Sequence, residues 1–145
     1  NETPVIFALS NPTSKSECSA EQAYKWTNGK GIFASGSPFD PVEIDGKTHV
    51  PGQGNNAYVF PGVGLGVIAS KANRVTDDMF LVAAEIISSS LSQNDLNQGR
   101  VFPPLTQIRD LSLDIAFGIS QLENSGLNKE SIREMMYKAE YQDYV

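Results

Sequence analysis

Gly52-Gln53-Gly54-Asn55-Asn56-Ala57-Tyr58-Val59-Phe60-Pro61-Gly62-Val63-Gly64-Leu65-Gly66 is the stretch on which the reading of this chain turns. A glycine-rich loop leads through two adjacent carboxamides into an apolar run punctuated by glycines. Gly52 and Gly54 allow backbone at positive φ or pressed against a ligand, where a Cβ has no room. Pro61 suits the first turn of a helix. The loop therefore reads as a site, with Asn55 and Asn56 and the unpaired N–H groups of a helix start facing one small volume. The structural alternative is that these asparagines cap the helix that follows.

Upstream of that loop the pattern is strand, helix, strand. Val5-Ile6-Phe7-Ala8-Leu9 is a short apolar run closed by Ser10-Asn11-Pro12-Thr13, the pattern of a strand buried on both faces of a parallel sheet. Ser19 followed by Gln22 predicts a capping box for a helix through Trp26, and Asn28-Gly29 predicts its left-handed end. Gly31 to Ser35 forms a second strand that closes on Ser35-Gly36-Ser37-Pro38. Together they make a βαβ unit. Val42-Glu43-Ile44 and Thr48-His49-Val50 flank Asp45-Gly46-Lys47, a hairpin signal. Tyr58-Val59-Phe60 is read as a last short strand, and the chain is read as helical from Pro61 to its end.

Four helices are expected there. The first, Pro61 to about Ala72, needs close packing to offset its three glycines, which cost about 1 kcal/mol each in helix propensity. Thr76 caps a second, with Asp77 and Asp78 in its first turn and an apolar, largely enclosed body from Met79 to Ile87. After a loop at Gly99 and Pro103-Pro104, Thr106 opens an amphipathic helix with Ile108, Leu111, Ile115, Ile119 and Leu122 on one stripe, ending near Gly126. Asn128 caps a final polar helix.

Composition narrows the function. At 145 residues and 40% apolar content the chain is one domain's worth of polypeptide. A net charge of −6 and a pI near 4.7 argue against a phosphate-gripping, nucleic-acid-binding surface. No apolar run approaches the roughly 18 residues of a membrane span, and no leader is evident, so a cytoplasmic location is expected. The lone Cys18 excludes an internal disulfide and a cysteine-rich metal site. The single histidine, His49, is read as a solvent-facing residue of the hairpin. The chain opens Asn1-Glu2-Thr3-Pro4 without methionine and enters a strand at once, so it is expected to be a piece of something longer.

Ligands of open parallel sheets bind at the carboxyl ends of the strands. Two polar turns lie there, Ser10-Asn11-Pro12 and Ser35-Gly36-Ser37-Pro38. Asn11 offers a neutral donor and acceptor suited to a carboxylate, a carbonyl or a nicotinamide amide. Its bland reading is an Asx-turn before Pro12. Gly62-Val63-Gly64-Leu65-Gly66 is a poor dinucleotide fingerprint, its third glycine one residue early, and reads as helix packing. Asp77 and Asp78 read as helix-start residues. From the residues alone the chain is half of a nucleotide-binding α/β domain with amide-rich loops, without a named reaction.

The ordered motifs Ile6-Phe7-Ala8-Leu9-Ser10-Asn11-Pro12-Thr13, Phe33-Ala34-Ser35-Gly36-Ser37-Pro38-Phe39, Gly52 to Gly62 and Arg100-Val101-Phe102-Pro103-Pro104-Leu105 resemble those of the malic enzymes. The resemblance covers almost the whole chain. It implies an α/β fold: an incomplete Rossmann-like NAD(P)-binding domain comprising the second half of a mostly parallel sheet, strands and βαβ unit at about 1–60, then mainly helices at 61–145. It implies oxidative decarboxylation of (S)-malate to pyruvate and carbon dioxide, reduction of NAD or NADP, and a Mg or Mn ion holding the substrate.

By the same resemblance Asn11 lies at the junction of malate and the nicotinamide ribose, and Asn55, in preference to Asn56, contacts the substrate carboxylate. The family's general acid tyrosine, general base lysine, substrate arginine, acidic metal ligands and glycine fingerprint fall upstream of Asn1. No catalytic or metal-ligating residue is therefore expected within the chain, and Tyr24, Tyr58 and Lys71 are not assigned such roles. The chain alone is expected to be inert. Its partners are expected to be malate, pyruvate and further copies of itself, with no nucleic acid and no membrane. The reading from a different class is a non-catalytic α/β module whose exposed strand edge and apolar helix faces serve association.

Overall fold

The structure is a computed structural model that describes residues 1–140. Three parallel strands form its sheet: β1 (Val5–Ala8), β2 (Ile32–Ser35) and β5 (Gly52–Gln53), in the order β1-β2-β5. Val5 stands opposite Ile32 and Ala8 opposite Ser35, and β5 continues the ladder by pairing Gly52 with Ala34 and Gln53 with Ser35. Helix α1 (Ala20–Trp26) links β1 to β2. Its start is the expected capping box: Ser19 Oγ accepts from the Gln22 N–H at 3.1 Å, and Gln22 Oε1 accepts from the Ser19 N–H at 2.9 Å. Asn28 and Gly29 then take positive φ and end it.

The hairpin β3 (Val42–Ile44) and β4 (Lys47–His49) turns through Asp45-Gly46, both at positive φ, the signature of a primed turn. It does not hang in solvent. Its Val42 and Ile44 pack with Ala20, Ala23, Tyr24 and Phe33 in the core between α1 and the sheet. His49 is likewise buried, its ring 4.7 Å from that of Tyr24. The expectation of a solvent-facing histidine is thus corrected: in register with Val42, His49 falls on the inward face of the ribbon.

Four further expectations change. Tyr58-Val59-Phe60 is not a strand, because Asn56–Tyr58 forms a 3₁₀ turn and Phe60 already belongs to α2 (Phe60–Ser70), while the final strand is the shorter β5 upstream. The strand β1 is buried on one face only: Ala8 is enclosed, but Val5, Phe7 and Leu9 are 60%, 49% and 46% exposed. Helix α3 (Asp77–Ser89) buries only Met79, Ala83 and Ile87, leaving Phe80 and Leu81 exposed, so it is half enclosed. Of the run read as helical to the chain's end, the last helix among the described residues stops at Glu134, and the chain beyond it to residue 140 is irregular. Residues 141–145 lie outside the described residues.

From Phe60 onward every regular element among the described residues is helical: α2, α3, α4 (Gln93–Asn97), α5 (Ile108–Leu122) and α6 (Lys129–Glu134). Helix α5 is the axis of this part, burying Leu111, Leu113, Ile115, Ala116 and Ile119. Two glycines of α2 let its backbone ride directly on α5. A Cβ at Gly62 would lie 2.7 Å from Ile115 Cβ, and one at Gly66 would lie 2.8 Å from Ile119 Cβ. Close packing thus offsets the propensity cost, as the glycine spacing predicts. Gly64 faces open space instead. Phe102 joins the two parts, its ring 5.4 Å from Tyr58 and 6.2 Å from Phe7.

Candidate functional site

Parallel pairing brings three turns to one edge. The ladder extends past the strands: the Gly36 N–H donates to the Ala8 carbonyl at 3.2 Å, and the Gly54 N–H donates to the Ser35 carbonyl at 2.8 Å. The turns after β1, β2 and β5, which carry Asn11, Gly36-Ser37 and Gly54-Asn55, are therefore adjacent at the sheet's carboxyl end. Side chains tie them further. Gly54 lies against the Leu9 side chain, and Gln53 Nε2 donates to the Gly36 carbonyl at 3.5 Å.

Asn11 is exposed and is joined to its neighbour by a cis peptide bond to Pro12. Its side-chain oxygen accepts a hydrogen bond from the Ser37 hydroxyl at 2.6 Å, bridging the first and second turns. The amide oxygen is thus engaged across the site rather than within its own turn. Asn55 is half-buried, and its Oδ1 accepts from the Ala57 N–H at 2.9 Å, capping the 3₁₀ turn that leads into α2. The capping role and the ligand role are compatible for Asn55. With each oxygen engaged, each side chain has an NH₂ group left to donate, which an anionic or carbonyl oxygen can accept. Asn56 begins the same turn and is exposed.

Sequence reading missed what holds these turns. Ser35, fully buried at the end of β2, donates through Oγ to the Ser37 carbonyl at 2.7 Å. Ser10 donates through Oγ and its N–H to the Glu17 carboxylate, and those bonds hold that carboxyl below the usual range. The signal for Ser37 lay in the quoted Ser35-Gly36-Ser37-Pro38 turn; nothing in the spacing of Glu17 pointed to Ser10.

The remaining titratable candidates lie in packing roles. Tyr24 is sealed between Phe33 and His49, and burial pushes its phenol up to about 12. Tyr58 is buried and donates to the Pro103 carbonyl at 2.5 Å, with burial again raising its phenol. Burial, and then the charge of Glu17, raise the Cys18 thiol, which keeps it protonated and a poor nucleophile. Lys71 ends α2 at positive φ. An apolar recess of about 400 Å³ between α2, α5 and the end of α6 is lined by Pro61, Leu65, Ile108, Met135 and Met136, with none of the three asparagines on its wall.

Two groups that the family resemblance implies can be tested against these residues. The carboxyl end of the sheet is compatible with the nicotinamide end of a dinucleotide, because Asn11 offers a neutral donor at a strand end. It does not fit a divalent cation: among the described residues no three His, Cys, Asp or Glu side chains cluster to hold one.

Residues 1–123 match the family described as the NAD binding domain of malic enzyme. The chain is 53% identical to the NADP-dependent malic enzyme of Homo sapiens over 97% of its own length, 62% identical to that of Rattus norvegicus over 83%, and 58% identical to the chloroplastic NADP-dependent malic enzyme of Oryza sativa subsp. japonica over 83%. It spans 27%, 21% and 19% of those proteins respectively. The parallel sheet with its βαβ unit is then part of a Rossmann-like NAD(P)-binding fold, and this chain belongs to the malic enzyme family through its NAD-binding domain.

Proposed function

We propose that this chain is the carboxyl-terminal portion of the NAD(P)-binding domain of a malic enzyme, with strands and βαβ unit at about 1–60 and mainly helices at 61–145. The whole enzyme oxidises and decarboxylates (S)-malate: the C2 hydroxyl gives up its proton as a hydride leaves C2 for NAD(P)⁺. The C3–C4 bond of the resulting β-keto acid breaks to release carbon dioxide, and the enolate left behind takes a proton at C3 to give pyruvate. Asn11 donates from its amide at the junction of malate and the nicotinamide ribose. Asn55 donates to the substrate carboxylate, with Asn56 beside it. Relatives named as NADP-dependent support NADP as the cofactor. The Mg or Mn ion, the acid and the base belong to polypeptide outside this chain.

One observation carries the reading. Two carboxamides stand in turns at the same carboxyl end of the sheet, and each has its oxygen tied back to the protein, which leaves each an NH₂ to donate. Neutral donors hold a carboxylate without overturning the charge balance set by a metal and an arginine elsewhere. In the full-length enzyme, Asn11→Ala and Asn55→Ala are each expected to lower kcat/KM for malate by about 10²-fold, as expected for one transition-state hydrogen-bond donor. Losses below threefold in both would refute these roles.

The second reading, self-association, draws on the exposure of Val5, Phe7 and Leu9 along the edge strand β1. It supports homo-oligomer formation and is compatible with the first. No helix among the described residues is long and apolar enough to cross a membrane. We place the enzyme in the cytoplasm, while one relative is named as chloroplastic.

A further inference from the structure

An asparagine amide has nearly the same shape in both flips, so its hydrogen-bond partners decide whether oxygen or NH₂ faces a ligand. For the exposed Asn11 that partner is the Ser37 hydroxyl, 2.6 Å from Oδ1. Ser37 is itself held. Its carbonyl accepts from Ser35 Oγ at 2.7 Å, and Ser35 is fully buried at the end of β2. Beneath the amide lies Gly36, where a Cβ would come within 2.8 Å of Asn11 Oδ1, 3.0 Å of Asn11 Nδ2 and 2.3 Å of the Leu9 carbonyl oxygen. The Asn11 amide thus rests on a bare backbone floor and is oriented from one side by a hydroxyl anchored to the sheet.

We infer that Ser37 is a positioning residue: its hydroxyl fixes the Asn11 amide with NH₂ toward the ligand. The inference rests on the proposed role of Asn11 and goes further, since it makes the group opposite Asn11 a hydrogen-bond acceptor, a carboxylate or ribose oxygen. Without the Ser37 hydroxyl the exposed amide loses the partner that holds its Oδ1 and swings away from the orientation that offers NH₂ to the ligand. The loss falls on productive orientation, which small misplacements affect strongly.

A double-mutant cycle in the full-length enzyme tests this. Ser37→Ala is expected to lower kcat/KM for malate about 10-fold, and Ser37→Thr, which keeps the hydroxyl, to recover most of that loss. In an Asn11→Ala background the further change Ser37→Ala should cost less than about twofold, because no amide remains to be oriented. A Ser37→Ala penalty that multiplies with that of Asn11→Ala, equal losses in Ser37→Ala and Ser37→Thr, or a Ser37→Ala effect below twofold beside a severe Asn11→Ala effect would each overturn the inference and leave the Asn11 role standing. Asn11→Ala within threefold of wild type would instead remove the site reading on which it rests.

Discussion

At the scale of single residues, Asn55 caps a turn and is proposed to offer a donor to the substrate as well, and substitution separates these roles. Asn55→Asp keeps an acceptor for the Ala57 N–H but turns a carboxylate toward a carboxylate. It should leave the thermal midpoint within a few degrees while lowering kcat/KM for malate by 10²-fold or more, mainly through KM. Asn55→Ala should instead lose about 1 kcal/mol of capping as well. Steady-state kinetics beside a melting curve distinguish the two.

His49 gives a pH-dependent prediction at the same scale. Burial, and then the charge of Lys47, lower its pKa from the ordinary 6.5, and the ring packs tilted against that of Tyr24. Because the folded-state pKa lies below the unfolded one, the unfolded chain binds the proton first as pH falls. Stability should therefore be intact above 6.5 and decline as pH drops from there through the folded value. As the chain has a single histidine, an NMR titration of its ring should give a midpoint below 6.5, and His49→Gln should flatten that part of the stability profile. A midpoint at or above 6.5 would contradict the buried placement against Tyr24.

At the scale of elements, the α2 glycines are not equivalent. Gly66→Ala drives a methyl into Ile119 and should destabilise the chain by about 1–3 kcal/mol despite better helix propensity. Gly64→Ala meets nothing within 4 Å and should stabilise by up to about 1 kcal/mol. Denaturant midpoints of the two variants should move in opposite directions.

The same elements display what can be read from residues. The Ser19 capping box, the Asn28-Gly29 stop, the Asp45-Gly46 turn and the α5 stripe were legible because each rests on local backbone chemistry. Strand β5 was not, since Gly52-Gln53 lacks β-forming side chains and exists only through pairing with Ala34 and Ser35. Tyr58-Val59-Phe60 misled for the converse reason: β-prone side chains were overruled by the Asn55 cap and Pro61. Helix α4 passed unread although Ser92 and Asp95 form a capping box. At the site, Asn11 was legible as an amide at a strand end, and Asn55 as one of two adjacent amides in a glycine-rich loop before a helix start. The Ser37 bond was not, because it joins residues 26 apart that only parallel pairing brings together.

At the scale of the whole molecule, the proposed binding amides stand in a chain with no cluster of three metal-binding side chains among its described residues. Incubated alone with malate, Mn and either dinucleotide, it should give no reduction detectable at 340 nm; clear turnover would place the acid, base and metal site within it. Its exposed β1 edge should make it self-associate, and charging that edge with Val5→Lys should shift sedimentation toward monomer.

The central claim is that amide NH₂ groups at one sheet edge hold the substrate. It is tested most directly by a crystal structure of the full-length enzyme with NADP and a dicarboxylate analogue of malate. The account predicts analogue oxygens about 3 Å from Asn55 Nδ2, and an analogue or nicotinamide-ribose oxygen about 3 Å from Asn11 Nδ2. An analogue bound away from this edge, or one meeting either amide through its oxygen, would contradict it.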